Sequence, residues 1–315
     1  MIRTPVCDLL GIDYPIFQGG MAWISDAKLA AAVSEAGGLG IISAMNADAD
    51  YVIGEVRKIR ELTKKPFGVN VMLLSPHADE VAERLAQERV PVIATGAGNP
   101  SKYMKMWLAA GIKVIPVVAS TAMTKLVTRA GAAAVIAEGG ESGGHVGEIT
   151  TMVLVPQVVD CTDLPVIAAG GIADGRGIAA SLMLGAQGVQ VGTRFLVAEE
   201  CGIHPVYKEK ILKAKDISTI TTGKRLGHPV RSLKTPFSRA YFKAEYDASV
   251  SDEALEEMGV GSVRRAVQDG DEQNGSFLAG QAAAMVTKEQ PSAEIICELF
   301  KEAEQVLGGA SKWVK

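Results

Sequence analysis

The sequence predicts a (β/α)8 TIM barrel, an α/β fold, with a smaller cap or insert after the eighth strand. Short apolar runs recur along the first two thirds of the chain, with starts 20 to 32 residues apart and helical patterns between them. The composition is 48% hydrophobic but only 5% aromatic, which favours parallel strands buried on both faces. The regular pattern stops near residue 195. Together these observations favour the barrel over a doubly wound open sheet, which also contains repeated βα units.

Each apolar run is a predicted strand because it is short, rich in Val, Ile and Ala, and bounded by Gly or Pro. The predicted strands are residues 15–21, 38–44, 66–73, 91–98, 113–120, 133–140, 165–172 and 188–195. The patterns between them begin after Ser, Asp or Asn-Pro and end near glycines, as helix caps do. The clearest predicted helices are residues 26–36, 51–62, 79–88, 101–110 and 121–130.

The segment after the eighth run differs in charge. Residues 199–245 hold ten Lys or Arg and five Asp or Glu, a local charge of +5 in a chain of net charge −4. We expect residues 199–275 to form a cap at the barrel mouth. Residues 1–198 and 276–315 would then form the barrel, the return segment completing the last βα unit.

Composition also excludes several classes of function. The net charge of −4 argues against general nucleic-acid binding. The four cysteines are scattered without a Cys-x-x-Cys pair, which is typical of reduced thiols in a cytosolic protein. The sequence shows no signal-peptide segment, no bilayer-spanning run and no spacing typical of a transition-metal site. It therefore predicts a cytoplasmic protein without membrane or metal partners.

The predicted strands end in glycine or small polar residues, and parallel barrels place their chemistry at these ends. Asn46, Asn70 and Glu138 are the side chains there that are suited to directional hydrogen bonds. The last two strands end in the pairs Gly170-Gly171 and Gly192-Thr193. Loops at these positions often bind phosphate, although tight turns alone would also explain the glycines.

A glycine-rich loop over residues 139–147, with His145 near its centre, follows the sixth predicted strand. The imidazole can transfer protons near neutral pH, and such loops commonly carry active-site residues. The alternative is an exposed loop histidine without a role. The nearby sequence Gly175-Arg176-Gly177-Ile178-Ala179-Ala180 matches a dinucleotide-binding pattern, but it follows the seventh strand and is predicted to start a helix.

Several blocks closely resemble the enoyl-acyl-carrier-protein reductase II (FabK) family. This family lies within the wider nitronate monooxygenase, or 2-nitropropane dioxygenase-like, family. The resemblance extends over nearly the whole chain. Its blocks include residues 17–23, 37–42, 66–70, 95–100, 143–145 and 168–175, with further agreement at 227–231 and 279–281.

The resemblance implies an FMN-binding barrel that uses NADH or NADPH to reduce trans-2-enoyl thioesters in bacterial type II fatty acid synthesis. It implies that His145 is catalytic, either as a proton donor or as a hydrogen-bond donor to the thioester oxygen. The implied FMN-binding residues are Gly20, Met21, Asn46, Asn70, Thr95, Glu138, Ser142, Gly143, Ala169, Gly170, Gly171, Gln190, Gly192 and Thr193. A homodimer and activation by a monovalent cation are also implied.

The resemblance further implies an acyl carrier protein as the partner that delivers the substrate. Carrier proteins are acidic, so the basic cap residues are candidates for steering them. The candidates are Lys208, Lys210, Lys213, Lys215, Lys224 and Arg225. A solvated helix face would explain the same charges.

Three other functions fit parts of the sequence. A nitronate monooxygenase would keep the fold and flavin but oxidise nitroalkanes or nitronates with O₂. A non-redox barrel binding a phosphorylated ligand, such as an isomerase, would use the glycine pairs without flavin. A non-catalytic flavin-binding or carrier-docking protein would bind these ligands without turnover.

Overall fold

The computed structural model describes residues 1–313. Eight parallel strands form the central sheet, and each lies inside one of the predicted runs. They are β1 (Ile16–Gln18), β2 (Gly40–Ser43), β3 (Phe67–Met72), β4 (Val92–Gly96), β5 (Lys113–Val118), β6 (Val135–Glu138), β8 (Val166–Ala169) and β9 (Gly188–Val191). The predicted strands were longer because they included the loops that follow.

The sheet closes into a barrel. Its strand order is β1-β9-β8-β6-β5-β4-β3-β2, and a bridge between Phe17 and Leu39 joins the two ends. The Leu39 N–H donates to Ile16 O at 2.8 Å, and the Gln18 N–H donates to Leu39 O at 3.0 Å. The predicted (β/α)8 barrel is therefore confirmed, and the open-sheet alternative is wrong.

The helices between the strands fall where the caps predicted them. They are α2 (Ala27–Glu35), α3 (Ala49–Leu62), α4 (Ala78–Glu88), α5 (Ser101–Ala109), α6 (Thr121–Arg129), α7 (Thr151–Val159) and α8 (Gly175–Met183). Asp26, Asp48, Ser120 and Asp174 each accept a backbone N–H through the side chain, as N-caps do. The dinucleotide-like motif is thus the start of α8, as predicted.

Alternation along the strands sorts side chains between two cores. On β4, Val92 and Ala94 belong to the cluster inside the barrel, whereas Ile93 packs outward against the helices. The amino-terminal end of the barrel is closed by α1 (Pro5–Leu10), which places Val6 and Cys7 in the inner cluster. Only the carboxyl ends of the strands are left for a ligand.

The segment after β9 covers that open end and then returns to the barrel. It contains a 3-10 turn (Thr193–Val197), α9 (Pro205–Leu212), a hairpin of β10 (Thr219–Thr222) and β11 (Val230–Leu233), α10 (Pro236–Glu245), α11 (Asp252–Gly259), α12 (Ser262–Arg264), a π turn (Arg265–Asp269), a 3-10 turn (Gln281–Met285) and α13 (Ser292–Gly308). A further short strand, β7 (Gly144–His145), lies in the glycine-rich loop. Helix α13 packs between α8 and α2, the position of the eighth barrel helix. No helix among residues 1–313 is long and apolar enough to cross a membrane.

Candidate active site

A cavity of about 600 Å³ lies at the carboxyl ends of the barrel strands. Its floor is formed by inward-facing residues at or near the carboxyl end of each strand, including Gly19, Ser43, Asn70, Gly96, Val117, Glu138, Ala169 and Gly192. Because only side chains of matching parity point inward, the strand alternation fixes which residues reach this floor. A volume of this size suits a cofactor together with part of a substrate.

One side of the floor is a glycine cradle at the ends of β8 and β9. Gly170 and Gly171 have φ values of +96° and +72°, a region that favours glycine. A Cβ on Gly170 would also lie 2.7 Å from Gly139 O. The cradle has no lysine or arginine along its lining, so a phosphate group there would be held by backbone N–H groups and the Thr193 hydroxyl.

Two strand ends on the other side carry backbone strain. Met45, after β2, and Ala97, after β4, line the cavity with φ values of 42° and 56°. Left-handed conformations at residues other than glycine cost on the order of 1–3 kcal/mol each, and they concentrate at functional sites. Both strained turns therefore mark the same cavity as the glycine cradle does.

Glu138 stands at the end of β6, partly buried, and lines the cavity. Burial raises its pKa to about 7, and the Ser142 hydroxyl opposes this shift only in part. No cation contributes to this pKa. Near neutral pH, Glu138 is therefore divided between a carboxylic acid, which donates a hydrogen bond, and a carboxylate, which accepts one.

The roof of the cavity is the glycine-rich loop of residues 139–147. Within it, β7 pairs in antiparallel fashion with β11, so that His145 lies opposite Val230 and Gly144 opposite Arg231. The Arg231 guanidinium donates to Gly140 O at 3.0 Å. A strand from the segment after β9 therefore fixes the loop that carries the histidine, and this gives a structural role to Val230 and Arg231.

The return segment forms the second part of the roof. Leu278, Ala279, Gly280 and Ala282 line the cavity. The Gly280 N–H donates to the Thr193 hydroxyl at 2.9 Å, and the Gln281 N–H donates to Glu141 O at 2.9 Å. The roof is thus joined both to the glycine cradle and to the histidine loop.

Glu141 connects the histidine loop to the barrel below it. Its carboxylate accepts from the Thr151 N–H at 2.9 Å and from the Thr151 hydroxyl at 2.9 Å. Thr151 is the first residue of α7, where free N–H groups favour an anion. The same hydroxyl lies 3.0 Å from Gly170 O, so Glu141 and Thr151 bridge the roof and the cradle.

His145 projects into the cavity at its mouth. The residue is exposed there, yet the protein around the imidazole lowers its pKa by desolvation, and the neighbouring His228 lowers it further by charge repulsion. Neutral imidazole is therefore the favoured form near pH 7. In that form one ring nitrogen still carries a proton that can be donated in a hydrogen bond.

Most of the predicted site residues lie together around this cavity. His145 lines it, as do Gly20, Met21, Asn70, Glu138, Ser142, Gly143, Ala169, Gly170, Gly171, Gln190, Gly192 and Thr193. Asn46 does not: it is exposed on the turn after β2, and Met45 takes the position on the cavity. Thr95 does not line it either, because it shares the outward parity of Ile93 on β4.

Sequence reasoning missed several lining residues. Ser43 and Gly96 face inward because each lies two residues after an inward-facing core residue, Ile41 on β2 and Ala94 on β4. The alternation of side chains along each strand would therefore have identified them. Leu278 and Ala282 come from the return segment, and no local pattern indicates that this segment crosses the mouth. The described residues contain no group of three or more His, Cys, Asp or Glu side chains that could hold a metal ion.

The cavity fits a flavin mononucleotide. A phosphate matches the glycine cradle. Asn70 lines the cavity, and its buried Oδ1 has no partner among the described residues, so it is an acceptor suited to a ring N–H. Gly20 allows a close approach here, since a Cβ on it would lie 2.3 Å from Asn70 Cβ. These are the features expected of a flat, phosphorylated cofactor bound largely through backbone contacts.

The chain belongs to the nitronate monooxygenase family, whose sequence profile matches residues 3–302. Members of this family are FMN-dependent oxidoreductases, in agreement with the cavity.

Among solved structures, FabK from Thermotoga maritima is similar over the full length of both chains, with 50% identity and a TM-score of 0.97. The nitroalkane oxidase from Streptomyces ansochromogenes is similar with 30% identity and a TM-score of 0.85, covering 96% of this chain and 100% of the other. A curated relative from Mycobacterium tuberculosis is 38% identical over 237 residues, which are 74% of this chain and 67% of the relative's chain. It is the (3aS,4S,5R,7aS)-5-hydroxy-7a-methyl-1-oxo-octahydro-1H-indene-4-carboxyl-CoA dehydrogenase.

Proposed function

We propose that this protein is an FMN-dependent enoyl-acyl-carrier-protein reductase that uses NADH or NADPH. The observation that carries the proposal is a roof bearing His145 over a flavin-sized cavity, in a chain 50% identical throughout to a FabK of known structure. A non-redox phosphate barrel would not require the unpaired Asn70 oxygen beside Gly20. A purely binding protein would not require a histidine held over the cavity by a separate strand.

Bound FMN supplies hydride transfer between the nicotinamide and the β-carbon of the enoyl thioester. The protein's residues position the reactants and stabilise charge. The cradle at Gly170 and Gly171 holds the phosphate, and Asn70 orients the ring. Glu138, with a pKa of about 7, offers either a proton or an acceptor at the floor without a fixed charge.

His145 is the group that meets the substrate. Hydride addition at the β-carbon makes the thioester oxygen more negative, and a positioned N–H stabilises that oxygen. The lowered pKa of His145 favours neutral imidazole donating this hydrogen bond over imidazolium acting as the acid. The proton on the α-carbon would then come from solvent at the open mouth.

An acyl carrier protein is the proposed partner. The ion pairs in the structure reduce the number of basic cap residues whose charge is free to attract it. Lys208, Lys210, Lys213 and Arg225 form ion pairs with Glu289, Glu272, Glu209 and Asp252 respectively. Their charges are already partly compensated. Lys215 and Lys224 are exposed and, within the described part of the chain, have no acidic side chain within 4 Å.

A groove on the cap concentrates the uncompensated charge. Lys215, Lys234 and Arg239 line it, beside the exposed Ile217, and none of these three cations has an ion pair among residues 1–313. Strand β11 runs from the groove at Leu233 to the partner of His145 at Val230, a span of about 10 Å. An acidic carrier bound here would sit close to the cavity mouth.

The carrier surface is tested by charge reversal at Lys215, Lys234 and Arg239. We expect KM for enoyl-carrier substrate to rise about tenfold, with kcat and the reaction of a free enoyl thioester unchanged, and with weaker salt dependence. The matched control reverses Lys105, Lys125 and Arg129 on barrel helices α5 and α6. Equal effects of the two triple variants would contradict docking at the groove.

Nitronate oxidation is the second candidate, because the family and the Streptomyces nitroalkane oxidase share this fold. An anaerobic experiment separates the two. The purified flavoprotein is reduced with one equivalent of NADH, a trans-2-enoyl thioester is added, and the flavin absorbance is followed. Rapid reoxidation with formation of saturated thioester supports the reductase. Flavin that stays reduced until air enters, together with NADH-independent oxidation of nitroalkanes, supports the monooxygenase.

A further inference from the structure

The two sides of the cavity floor differ in chemistry, and the ring order fixes where they lie. Around the closed ring, β8 is opposite β3 and β9 is opposite β4. The glycine cradle at the ends of β8 and β9 therefore faces the ends of β3 and β4 across the barrel. A cofactor anchored by its phosphate in the cradle would extend over the barrel axis, with its ring reaching Asn70 on β3, and the apolar side chains at the ends of β3, β4 and β5 would lie beside it.

That far side is a predominantly apolar lobe. It is lined by Met45, Met72, Gly96, Ala97, Val117 and Met123, and its polar members are Ser43, Asn70 and Ser120. None of these side chains is charged, whereas the charged or titratable lining residues, Glu138, Glu141 and His145, lie on or after β6. Methionines pack adaptably against flexible apolar groups, so the lobe suits a hydrocarbon chain.

Gly96 leaves open space in this lobe. It pairs with Met72 in the β3–β4 register, and it shares the inward parity of Ala94. A Cβ built on Gly96 meets no atom within 4 Å, and its φ lies outside the left-handed region. The glycine is therefore not required by the backbone. Its missing side chain leaves open space inside the cavity.

We propose that the lobe between β3 and β5 holds the acyl chain of the substrate, and that Gly96 sets the chain length that fits. The inference rests on the proposed enoyl reductase function. A side chain at position 96 would fill the lobe from the floor and exclude methylene groups. Each methylene kept out of an apolar site costs about fourfold in affinity.

The test compares crotonyl, octenoyl and dodecenoyl thioesters of N-acetylcysteamine, which need no carrier docking. For Gly96→Val we expect the ratio of kcat/KM for dodecenoyl over crotonyl to fall about tenfold or more relative to the wild type. The affinity for the saturated thioesters, followed as a change in flavin absorbance, should fall most for the longest chain and least for the shortest. Met72→Ala enlarges the lobe. It should raise the ratio of kcat/KM for dodecenoyl over crotonyl and the relative affinity for the longer saturated thioesters.

The matched control is Gly54→Val in α3, because a Cβ there also meets no atom within 4 Å and Gly54 lies outside the cavity. It should leave the length profile unchanged. Gly96→Ala serves if the valine variant loses flavin. The proposal is wrong if substitutions at Gly96 and Met72 change all chain lengths equally, or if they slow flavin reduction by NADH instead. If the wild type reduces none of the thioesters, the proposed function itself fails, an outcome distinct from an unchanged length ratio.

Discussion

The floor and the roof of the cavity are built in different ways. The floor consists of strand ends, each produced by its own local run of residues, and it presents glycines, Asn70 and Glu138. The roof joins three segments that are far apart in the sequence: the histidine loop, strand β11 and the return segment. The floor is therefore suited to hold the cofactor, and the roof to position the group that acts on substrate.

The broadest effect is expected from damage to the floor at Gly170→Val, because loss of the cofactor stops every reaction of the enzyme. Its φ of +96° and the 2.7 Å approach of a Cβ to Gly139 O would distort the cradle. A strain of about 3 kcal/mol corresponds to about a 100-fold weaker Kd for FMN. The flavin content of the purified protein measures this. A variant that retains its full complement of FMN would show that the cradle does not bind the phosphate.

Damage to the roof at His145→Ala should spare the cofactor and stop the reaction. Flavin content and flavin reduction by NADH should be unchanged, while enoyl reduction falls about 10²–10⁴-fold. Stopped-flow absorbance resolves the two half-reactions. His228→Ala is the control, since His228 acts on His145 only by charge repulsion. If both variants lose the same activity, His145 has no special role.

Loosening the roof at Arg231→Met should have a smaller effect. The variant loses the hydrogen bond to Gly140 O, and such charge-assisted bonds contribute about 1.5–3 kcal/mol. We expect enoyl reduction to fall about tenfold, hydrogen exchange across residues 139–147 to accelerate, and Arg231→Lys to restore part of both. Unaltered exchange in the loop would mean that β11 does not fix it.

At the floor, Glu138→Gln is expected to change how the stability of the apoprotein depends on pH. Folding raises the Glu138 pKa from 4.5 to about 7, so the unfolded chain loses this proton first as pH rises. The wild type should therefore lose about 3 kcal/mol of unfolding free energy between pH 4.5 and 7 through this group. The Glu138→Gln variant should not show this pH-dependent loss of unfolding free energy. Urea unfolding at pH 5 and pH 7.5 measures the difference, and parallel pH profiles would place the Glu138 carboxyl in water.

The sequence was most reliable for the floor. Eight apolar runs identified the strands, and the pairs Gly170-Gly171 and Gly192-Thr193 identified the cradle. The strands and the cradle are both local consequences of side-chain size and alternation. Asn46 and Thr95 were predicted from their distance to a strand end, and neither lines the cavity. Parity decides instead: Gly96 faces the cavity, and Thr95, one residue earlier, faces the helices.

The roof shows where sequence reasoning ends. The glycine-rich loop and His145 were visible as residues with suitable chemistry, and the resemblance extended to residues 227–231 and 279–281. Neither could show that Arg231 binds Gly140 O, that Gly280 binds the Thr193 hydroxyl, or that four of six basic cap residues are paired with acids.

The sequence by itself determined the barrel, the order of its elements and the types of residue at the strand ends, because βα units are encoded by hydrophobic periodicity over short stretches. Only the tertiary structure decided which side chains share the cavity, how wide its apolar lobe is at Gly96, and what holds His145 in place. Those properties depend on contacts between segments that no local pattern relates, and closure of the ring and antiparallel pairing of β7 with β11 bring these segments together.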